Sequence, residues 1–491
     1  MNYRIISRLL SLIFFSLGAA FVACLGMSLW MDNVHAGAQD ALVGWVVVSG
    51  LALGLGLVFR FLGRNAPMRL FRKEALCVIG LGWILASLLG ALPYLLILKD
   101  CSPAQALFES SSGITTTGAS VFGSYEAIPP SLMFWRCLSQ WIGGLGVVVF
   151  FVAILSSLGV GAKVLFANES SAQSQDIDSG RFQSGVMQIL ILYLSLSLAC
   201  VAAYYAAGLS LYESVCHMFT TVATGGFSTR ETSLGEFGSP AVEWIAIVFM
   251  ALGGTSFLVM LRLARGHWRE LRHATEVHAF YAILIGVSLV MAVVLMIHDG
   301  TGISTALREG TFQTVSILTT TGFSTVDYML WPTFGHVLLM ALMIIGGCSG
   351  STSGGCKVVR LVVAMKVSLA QVEKSFRTHV VRPIKINRRF IQEEDQVGTL
   401  VFLVLMALVV FFSMPLVALL EPSMSGLGVL SAVFATLFNI GPGLSEVGPA
   451  TNFGFMNEAT LTVLSLLMVM GRLELFAILV LFSPSLWRRF S

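Results

Sequence analysis

The sequence has few charged residues. Asp, Glu, Lys and Arg make up 11% of its 491 residues, whereas hydrophobic residues make up 56%. A soluble protein carries about a quarter charged residues, so a chain of this composition cannot keep its apolar surface from water. Several apolar runs exceed the roughly 20 residues that a helix needs to cross a bilayer. The composition therefore predicts an integral membrane protein.

Cysteine pairs and enzyme motifs are also scarce. The eight cysteines are scattered, and none shows CxxC or zinc-site spacing, so we interpret them as small buried hydrophobic residues. The sequence contains neither HExxH nor GxSxG, and its apolar runs hold no clustered acid–base pair. We therefore predict that the protein is not an enzyme, needs no cofactor and does not bind nucleic acid.

Four short strings recur through the chain. Each ends at a glycine and follows a short apolar segment that reaches only about halfway through a bilayer. The strings are TTTG at 115–118, ATGG at 223–226, TTTG at 319–322 and FNIG at 438–441. Their glycines lie roughly 100 residues apart, well above the usual period of solenoid repeats. The spacing predicts tandem repetition of a whole membrane module.

Each module is predicted to run in the order span, short apolar segment, glycine string, span. Two leading spans precede the modules, which gives an all-α membrane protein with about ten spans and four half-buried segments. The predicted short segments are Pro103–Ile114, Leu211–Val222, Thr305–Leu318 and Leu427–Leu437. Single spans are predicted at Val242–Leu263 and Asn457–Phe482. The predicted units are the leading helices at 1–73 and modules at 74–162, 163–273, 274–394 and 395–491.

Positive charge lies mainly between the modules. The basic linkers are 60–73, 163–181, 262–272 and 357–389, and the tail carries Arg488 and Arg489. Because Lys and Arg collect on the cytoplasmic side of a membrane, we predict cytoplasmic termini and linkers, with the glycine strings opening outward. Glu109 is assigned to the acidic outer loops. Arg136, near the start of a span, is expected to extend its charge to the outer interface.

The four short segments are predicted to meet at one axis. Non-helical backbone at membrane depth needs protein or water around it, and four segments around an axis provide this for one another. Their C-terminal ends carry partial negative charge, which favours a cation. Glycine tolerates the dihedrals that turn carbonyls inward. We expect these carbonyls to replace the hydration shell of an ion.

A glycine- and serine-rich stretch, Ile344–Lys357, interrupts the second span of module three. Non-helical backbone at this depth implies contact with a water-filled cavity; the alternative is a cytoplasmic loop that the chain reaches early. We interpret the stretch as a flap that blocks permeation below the glycine strings. The residues assigned to this gating role are Gly346, Gly347, Gly350, Gly354, Gly355 and Lys357. A phosphate loop is disfavoured because Val358, not Ser or Thr, follows Lys357.

Arg472 lies in the middle of the last predicted span. An ionisable group at that depth is costly and usually faces a cavity or a charged partner. Glu474 is two residues further on and does not share its helix face, so a structural salt bridge would need a partner elsewhere. His217, His278 and His336 show no ligand spacing and are interpreted as packed or interfacial histidines.

Taken with their flanks, the four strings carry a family resemblance. TTTGAS, TVATGGFSTR, TTTGFSTVDY and FNIGPGLSEVGP resemble the four filter loops of the Trk/Ktr/HKT superfamily of potassium transporters, and most of all those of the bacterial TrkH/TrkG membrane subunits. The resemblance covers essentially the whole chain. It implies potassium uptake across the bacterial inner membrane through a single-chain version of the potassium-channel filter.

The resemblance also implies which residues face the ion. These are Thr116, Thr117, Gly118, Thr224, Gly225, Gly226, Thr320, Thr321, Gly322, Asn439, Ile440 and Gly441. In plant relatives a Ser in place of the first-repeat Gly accompanies sodium transport, so Gly118 favours potassium selectivity. Family members also carry an intramembrane gating loop and an arginine beneath the filter, a role that falls to Arg472. The fourth string departs from the threonine pattern at Asn439.

Partners and mechanism complete the expectations. The resemblance implies a homodimer, surrounded by membrane lipid, above a separate cytosolic ring that binds nucleotide. A gated potassium pore is the favoured mechanism, and a symporter that couples potassium to protons or sodium is the alternative. The scarcity of acidic residues inside the spans argues against a proton relay.

Overall fold

The structure is a computed structural model that describes residues 2–34, 38–66, 72–157, 179–377, 383–387 and 389–484. Within these residues the chain is almost entirely helical, and a two-residue antiparallel pair, Lys385–Ile386 with Arg389–Phe390, is its only sheet. The predicted boundary at 162/163 and the linker charge Lys163 lie outside the described residues, as do the tail arginines. The prediction of an all-α membrane protein is confirmed.

Two long helices precede the repeats. They are α1 (Tyr3–Met31) and α2 (Ala38–Leu62), which pack along each other. Both are apolar on nearly every face, as helices in lipid are. Buried Asp32 at the end of α1 accepts hydrogen bonds from the backbone N–H, at 3.0 Å, and the hydroxyl of Ser131. The indole of Trp45 in α2 donates to the same hydroxyl at 2.8 Å, so this polar cluster fixes the hairpin to the first repeat.

The first two repeats follow. The first comprises α3 (Arg72–Ile97), the short α4 (Pro103–Ile114) and α5 (Pro130–Ser157). The second comprises α6 (Ser179–Ala206), the short α7 (Leu211–Val222), α8 (Pro240–Gly253) and α9 (Phe257–Ala264).

The last two repeats keep the same order. The third comprises α10 (Thr275–Asp299), the short α11 (Ile303–Leu318), α12 (Thr333–Ile345) and α13 (Val358–Phe376). The fourth comprises α14 (Glu393–Leu420), the short α15 (Gly426–Leu437), α16 (Glu458–Arg472) and α17 (Phe476–Leu479). The four short helices begin and end within two residues of the predicted segments.

Six described helices are long and apolar enough to cross a membrane, or eight if each of two bent pairs is one span. The bent pairs correct the sequence prediction. Val242–Leu263 and Asn457–Phe482 were each predicted as a single span, but the chain turns by 99° between α8 and α9 and by 111° after α16.

The first bend has a clear physical cause. At the break, Gly253 and Gly254 accept backbone hydrogen bonds from Thr352 at 3.2 Å and Cys348 at 2.9 Å, and the N–H of Phe257 donates to Gly350 at 3.0 Å. These bonds replace the helical bonds that the bend removes. All three come from the stretch that interrupts the third repeat, which is inserted into the turn.

Candidate ion pathway

Three of the four short helices start from serine caps. Ser102, Ser210 and Ser425 each cap a helix through the side-chain oxygen, and Ser102 forms a reciprocal capping box with Gln105. The third helix starts at Gly302 without a side-chain cap. The last turns of all four helices are buried, because they pack against the other helices around them.

One backbone turn follows each short helix. The residue two positions before the final glycine has a left-handed φ: 54° at Thr116, 51° at Thr224, 56° at Thr320 and 56° at Asn439. The next residue then donates its N–H back to the helix at 2.8 Å in every repeat, as Thr117 does to Ser112 and Thr321 to Ser316. A non-glycine residue in this region costs about 1–3 kcal/mol, so four copies indicate a conformation that the surroundings impose.

The four glycines close a ring. A Cβ added to Gly118 would lie 2.2 Å from the carbonyl oxygen of Gly225, and one on Gly226 would lie 1.9 Å from that of Thr321. The same contact joins Gly322 to Ile440 at 1.9 Å and Gly441 back to Thr117 at 2.7 Å. Each glycine thus faces the middle carbonyl of the next repeat, in the order one, two, three, four, one. The structure brings all twelve predicted ion-facing residues together in this ring.

Only glycine fits at these four positions, the corners of the ring. All four have φ between 81° and 103°, a region that side chains rarely adopt, and the space for a Cβ is filled by a neighbouring carbonyl. On one side the ring opens into a cavity lined by Gly118, Gly226, Gly322 and Gly441 together with the segments that follow them. A ring of closely spaced backbone carbonyls with an open mouth supplies the kind of oxygen that can hold a dehydrated cation.

The interrupting stretch of the third repeat lies directly beneath the ring. The N–H of Gly354 donates to the hydroxyl of Thr320 at 2.6 Å, and that of Gly355 donates to the carbonyl of Phe438 at 3.0 Å. The hydroxyl of Thr352 lies 3.2 Å from that of Thr224 and 3.1 Å from the carbonyl of Val222. The stretch therefore contacts repeats two, three and four at once, which argues against the alternative of a cytoplasmic loop that the chain reaches early.

The two ends of this stretch cross at glycines. Gly346 and Gly355 both have φ of 75°, and a Cβ on Gly355 would lie 2.6 Å from the Cα of Gly346. Gly347 is similarly crowded, because a Cβ added there would lie 2.2 Å from the hydroxyl of Ser353. Lys357, which also has a left-handed φ, donates to the carbonyl of Ser353. Gly350, with φ of 70°, forms the turn that accepts from Phe257.

Arg472, in the fourth repeat, binds the interrupting stretch of the third. Its side chain is 4% exposed, and its Nη1 donates to the carbonyl of Thr352 at 2.7 Å. Glu474, just beyond it, pairs instead with Arg360 of α13. This geometry agrees with the expectation that Glu474 is not the partner of Arg472. Arg472 lies at the end of α16, where the helix turns, and not in mid-span as predicted.

Two charged residues were misplaced by sequence reasoning. Arg136 is fully buried and does not reach the outer interface, and Glu109 lies inside α4 and not in a loop. The two form an ion pair of 2.6 Å. The available signal was a lone acid and a lone base in neighbouring apolar segments, because charges buried in a membrane protein generally pair with each other.

The comparisons with known proteins agree with this geometry. The family model "TrkH: Cation transport protein" matches residues 51–489. The chain is similar to the Trk system potassium uptake protein TrkH of Halomonas elongata, at 33% identity over 100% of both chains. It is also similar to TrkH of Escherichia coli K12, at 32% identity over 99% of this chain and 100% of that one. The crystal structure of the potassium transporter TrkH from Vibrio parahaemolyticus matches with a TM-score of 0.89 and 32% identity, over 99% of this chain and 100% of that chain. The chain belongs to the TrkH family of cation transport proteins.

Proposed function

We propose that this protein takes up potassium across the bacterial inner membrane through a filter of backbone carbonyls from the four glycine strings. The observation that carries the proposal is the closed ring in which each glycine faces a carbonyl of the next repeat. Curated relatives that span the whole chain are named potassium uptake proteins, which supports potassium as the cargo. The twelve ring residues named above are the proposed ligands.

Selectivity for potassium follows from the glycine at each corner. A potassium ion can shed its water only if the surrounding oxygens take its place at the right distance. A side chain at any corner would push the neighbouring carbonyl away. Gly118 occupies the position at which a serine accompanies sodium transport in plant members of the superfamily. A Cβ added to Gly118 would lie 2.2 Å from the carbonyl oxygen of Gly225.

The proposed gate is the loop at 346–357, together with Arg472. The loop donates hydrogen bonds to the lower edge of the ring through Gly354 and Gly355, so an ion cannot leave the ring downward while these bonds hold. The guanidinium of Arg472 adds a positive charge on the same side. A buried cation on the path repels a permeating cation and raises the barrier to its exit.

We also infer a homodimer and a cytosolic ring-forming regulator that binds nucleotide. Family membership and the predicted cytoplasmic position of the basic linker 357–389 support this inference. The same charge pattern supports cytoplasmic termini and the four-module organisation at the predicted boundaries. A regulator docked on that linker would lie next to α13, which continues directly from the gating loop.

The test is electrical. Purified protein is reconstituted in liposomes with a potassium gradient, and the reversal potential of the current is measured. A pore predicts reversal at the potassium equilibrium potential, independent of proton and sodium gradients. Reversal that shifts with a second ion would support the coupled symporter instead, and absence of potassium flux from folded, regulator-bound protein would contradict the proposal.

A further inference from the structure

A position inside each short helix repeats as regularly as the glycines. The residue nine places before the ring glycine is Glu109 in repeat one, His217 in repeat two and Gln313 in repeat three. All three side chains are fully buried. A buried polar side chain needs a partner, and each of these finds it in the same place.

That place is the segment two or three residues beyond the ring glycine. Glu109 accepts from the N–H of Val121 at 3.1 Å and the hydroxyl of Ser120 at 3.2 Å. His217 Nε2 lies 3.0 Å from the hydroxyl of Ser228. Gln313 reaches Thr325 at 3.5 Å.

The fourth repeat reaches the same segment from the adjacent position. Ala432 occupies the ninth place and carries no polar atom. Ser431 beside it accepts from the N–H of Leu444 at 3.0 Å and donates to the Leu444 carbonyl at 2.9 Å. Every repeat therefore has a side-chain strut from its short helix to the chain just after the ring.

The strut of repeat one is the charged one, and it also reaches repeat two. Arg136 pairs with Glu109, lies 3.1 Å from the Ser120 hydroxyl and 3.5 Å from the Ser228 carbonyl. Its guanidinium lies 4.3 Å from the centre of the Phe227 ring, within cation–π range. Ser120 lies two residues after Gly118, and Phe227 lies one residue after Gly226. A single ion pair therefore holds the segments that follow two neighbouring ring glycines.

We infer that Glu109 and Arg136 are positioning residues for ion discrimination, which hold the outer edge of the ring between repeats one and two at the spacing that potassium requires. This inference rests on the proposed function, since it presupposes that the ring is the filter. The ion pair touches no ion. It acts through Ser120, Val121, Phe227 and Ser228, and loosening it lets the carbonyls of the first two corners close around a smaller cation.

The experiment measures the potassium-to-sodium permeability ratio of the full chain in liposomes, from reversal potentials under bi-ionic conditions. E109Q keeps the side-chain shape but removes the charge, and S120A removes the hydroxyl that both charged groups contact. Each is expected to lower the ratio about tenfold, within the range for residues of one hydrogen-bond network. A fall in total flux without a change in the ratio would indicate a merely structural role and overturn the inference.

A matched control is the ion pair of Glu243 in α8 with Arg308 in α11, at 3.1 Å. It likewise joins a short helix to a neighbouring one, and no hydrogen bond from it to a ring segment is seen in the described part of the chain. E243Q is expected to keep the wild-type ratio. If E109Q does not fold, because Arg136 is left without a counter-charge, S120A decides the outcome.

G118A separates this inference from the proposed function. If G118A destroys discrimination while E109Q and S120A keep the wild-type ratio, the ring is the filter and the strut inference is wrong. If folded G118A also keeps the wild-type ratio, the filter assignment fails and the strut inference fails with it.

Discussion

The backbone N–H of Gly354 donates a 2.6 Å hydrogen bond to the hydroxyl of Thr320. This bond joins the loop that interrupts repeat three to the ring formed in part by the same repeat. Thr320 has a left-handed φ of 56°, and its hydroxyl contacts the loop. The strained turn that presents carbonyls to the ring thus also presents a hydroxyl to the proposed gate.

Gly118→Ser is expected to reduce discrimination of potassium over sodium by about tenfold or more. The added Cβ would lie 2.2 Å from the carbonyl oxygen of Gly225 and would displace it. A carbonyl displaced from the ring no longer matches the size of potassium. The measurement is the bi-ionic reversal potential in liposomes. Gly286→Ala is the control: Gly286 has nothing within 4 Å of its Cβ position. Wild-type discrimination in folded Gly118→Ser would refute the filter.

Thr352→Val is expected to raise basal potassium flux. The hydroxyl of Thr352 bonds the carbonyls of Val222 at 3.1 Å and Gly253 at 3.0 Å, and losing these bonds weakens the loop's attachment by about 1–3 kcal/mol. Flux is measured as rubidium uptake into liposomes. Thr399→Val, at a half-buried position whose hydroxyl donates to the Asp395 carbonyl one turn earlier in the same helix, should match wild type. A lower flux from Thr352→Val would contradict a closing role for the loop.

Arg472→Ala is expected to raise potassium flux, because it removes both a buried positive charge and the 2.7 Å bond to the Thr352 carbonyl. Arg472→Lys, which keeps the charge, should raise flux less. Single-channel recording distinguishes a larger conductance from a longer open time. Arg377→Ala, at an exposed arginine that pairs with Glu373, serves as the control. An unchanged current in well-folded Arg472→Ala would count against the barrier.

Acidification should loosen the segment of repeat four that follows the ring. Burial of Glu446 alone would raise its pKa, but hydrogen bonds from the N–H and hydroxyl of Ser425, both at 2.9 Å, outweigh this and hold the pKa below its usual value. Its stabilisation is therefore complete above the pKa of the unfolded chain and is lost as pH falls through the lower, folded pKa. Thermal unfolding in detergent, compared between neutral and acid pH, checks this. Glu446→Gln should remove that part of the pH dependence.

Local signals explain what the sequence could predict. The short helices were predicted to within two residues because half-length apolar runs and glycine strings lie close together in the chain. The ring residues follow from the same strings, since a repeated turn needs the same residue types each time.

Long-range contacts explain what it could not predict. The bend at Gly254 arises from a loop about 100 residues later in the chain that hydrogen-bonds into the break, and the apolar run gives no warning of it. Glu109 and Arg136 are 27 residues apart, and from the sequence they were assigned to an outer loop and to the outer interface. The packing of the helices brings the two side chains together.

The closed ring has a consequence for how the protein tolerates change. Because each glycine abuts the carbonyl of the repeat that follows it, a substitution at one ring glycine strains its own backbone and also displaces the neighbouring repeat. A second-site suppressor of a change at Gly226 should therefore arise in repeat three, around Thr321, and the damage should pass around the ring in one rotational direction.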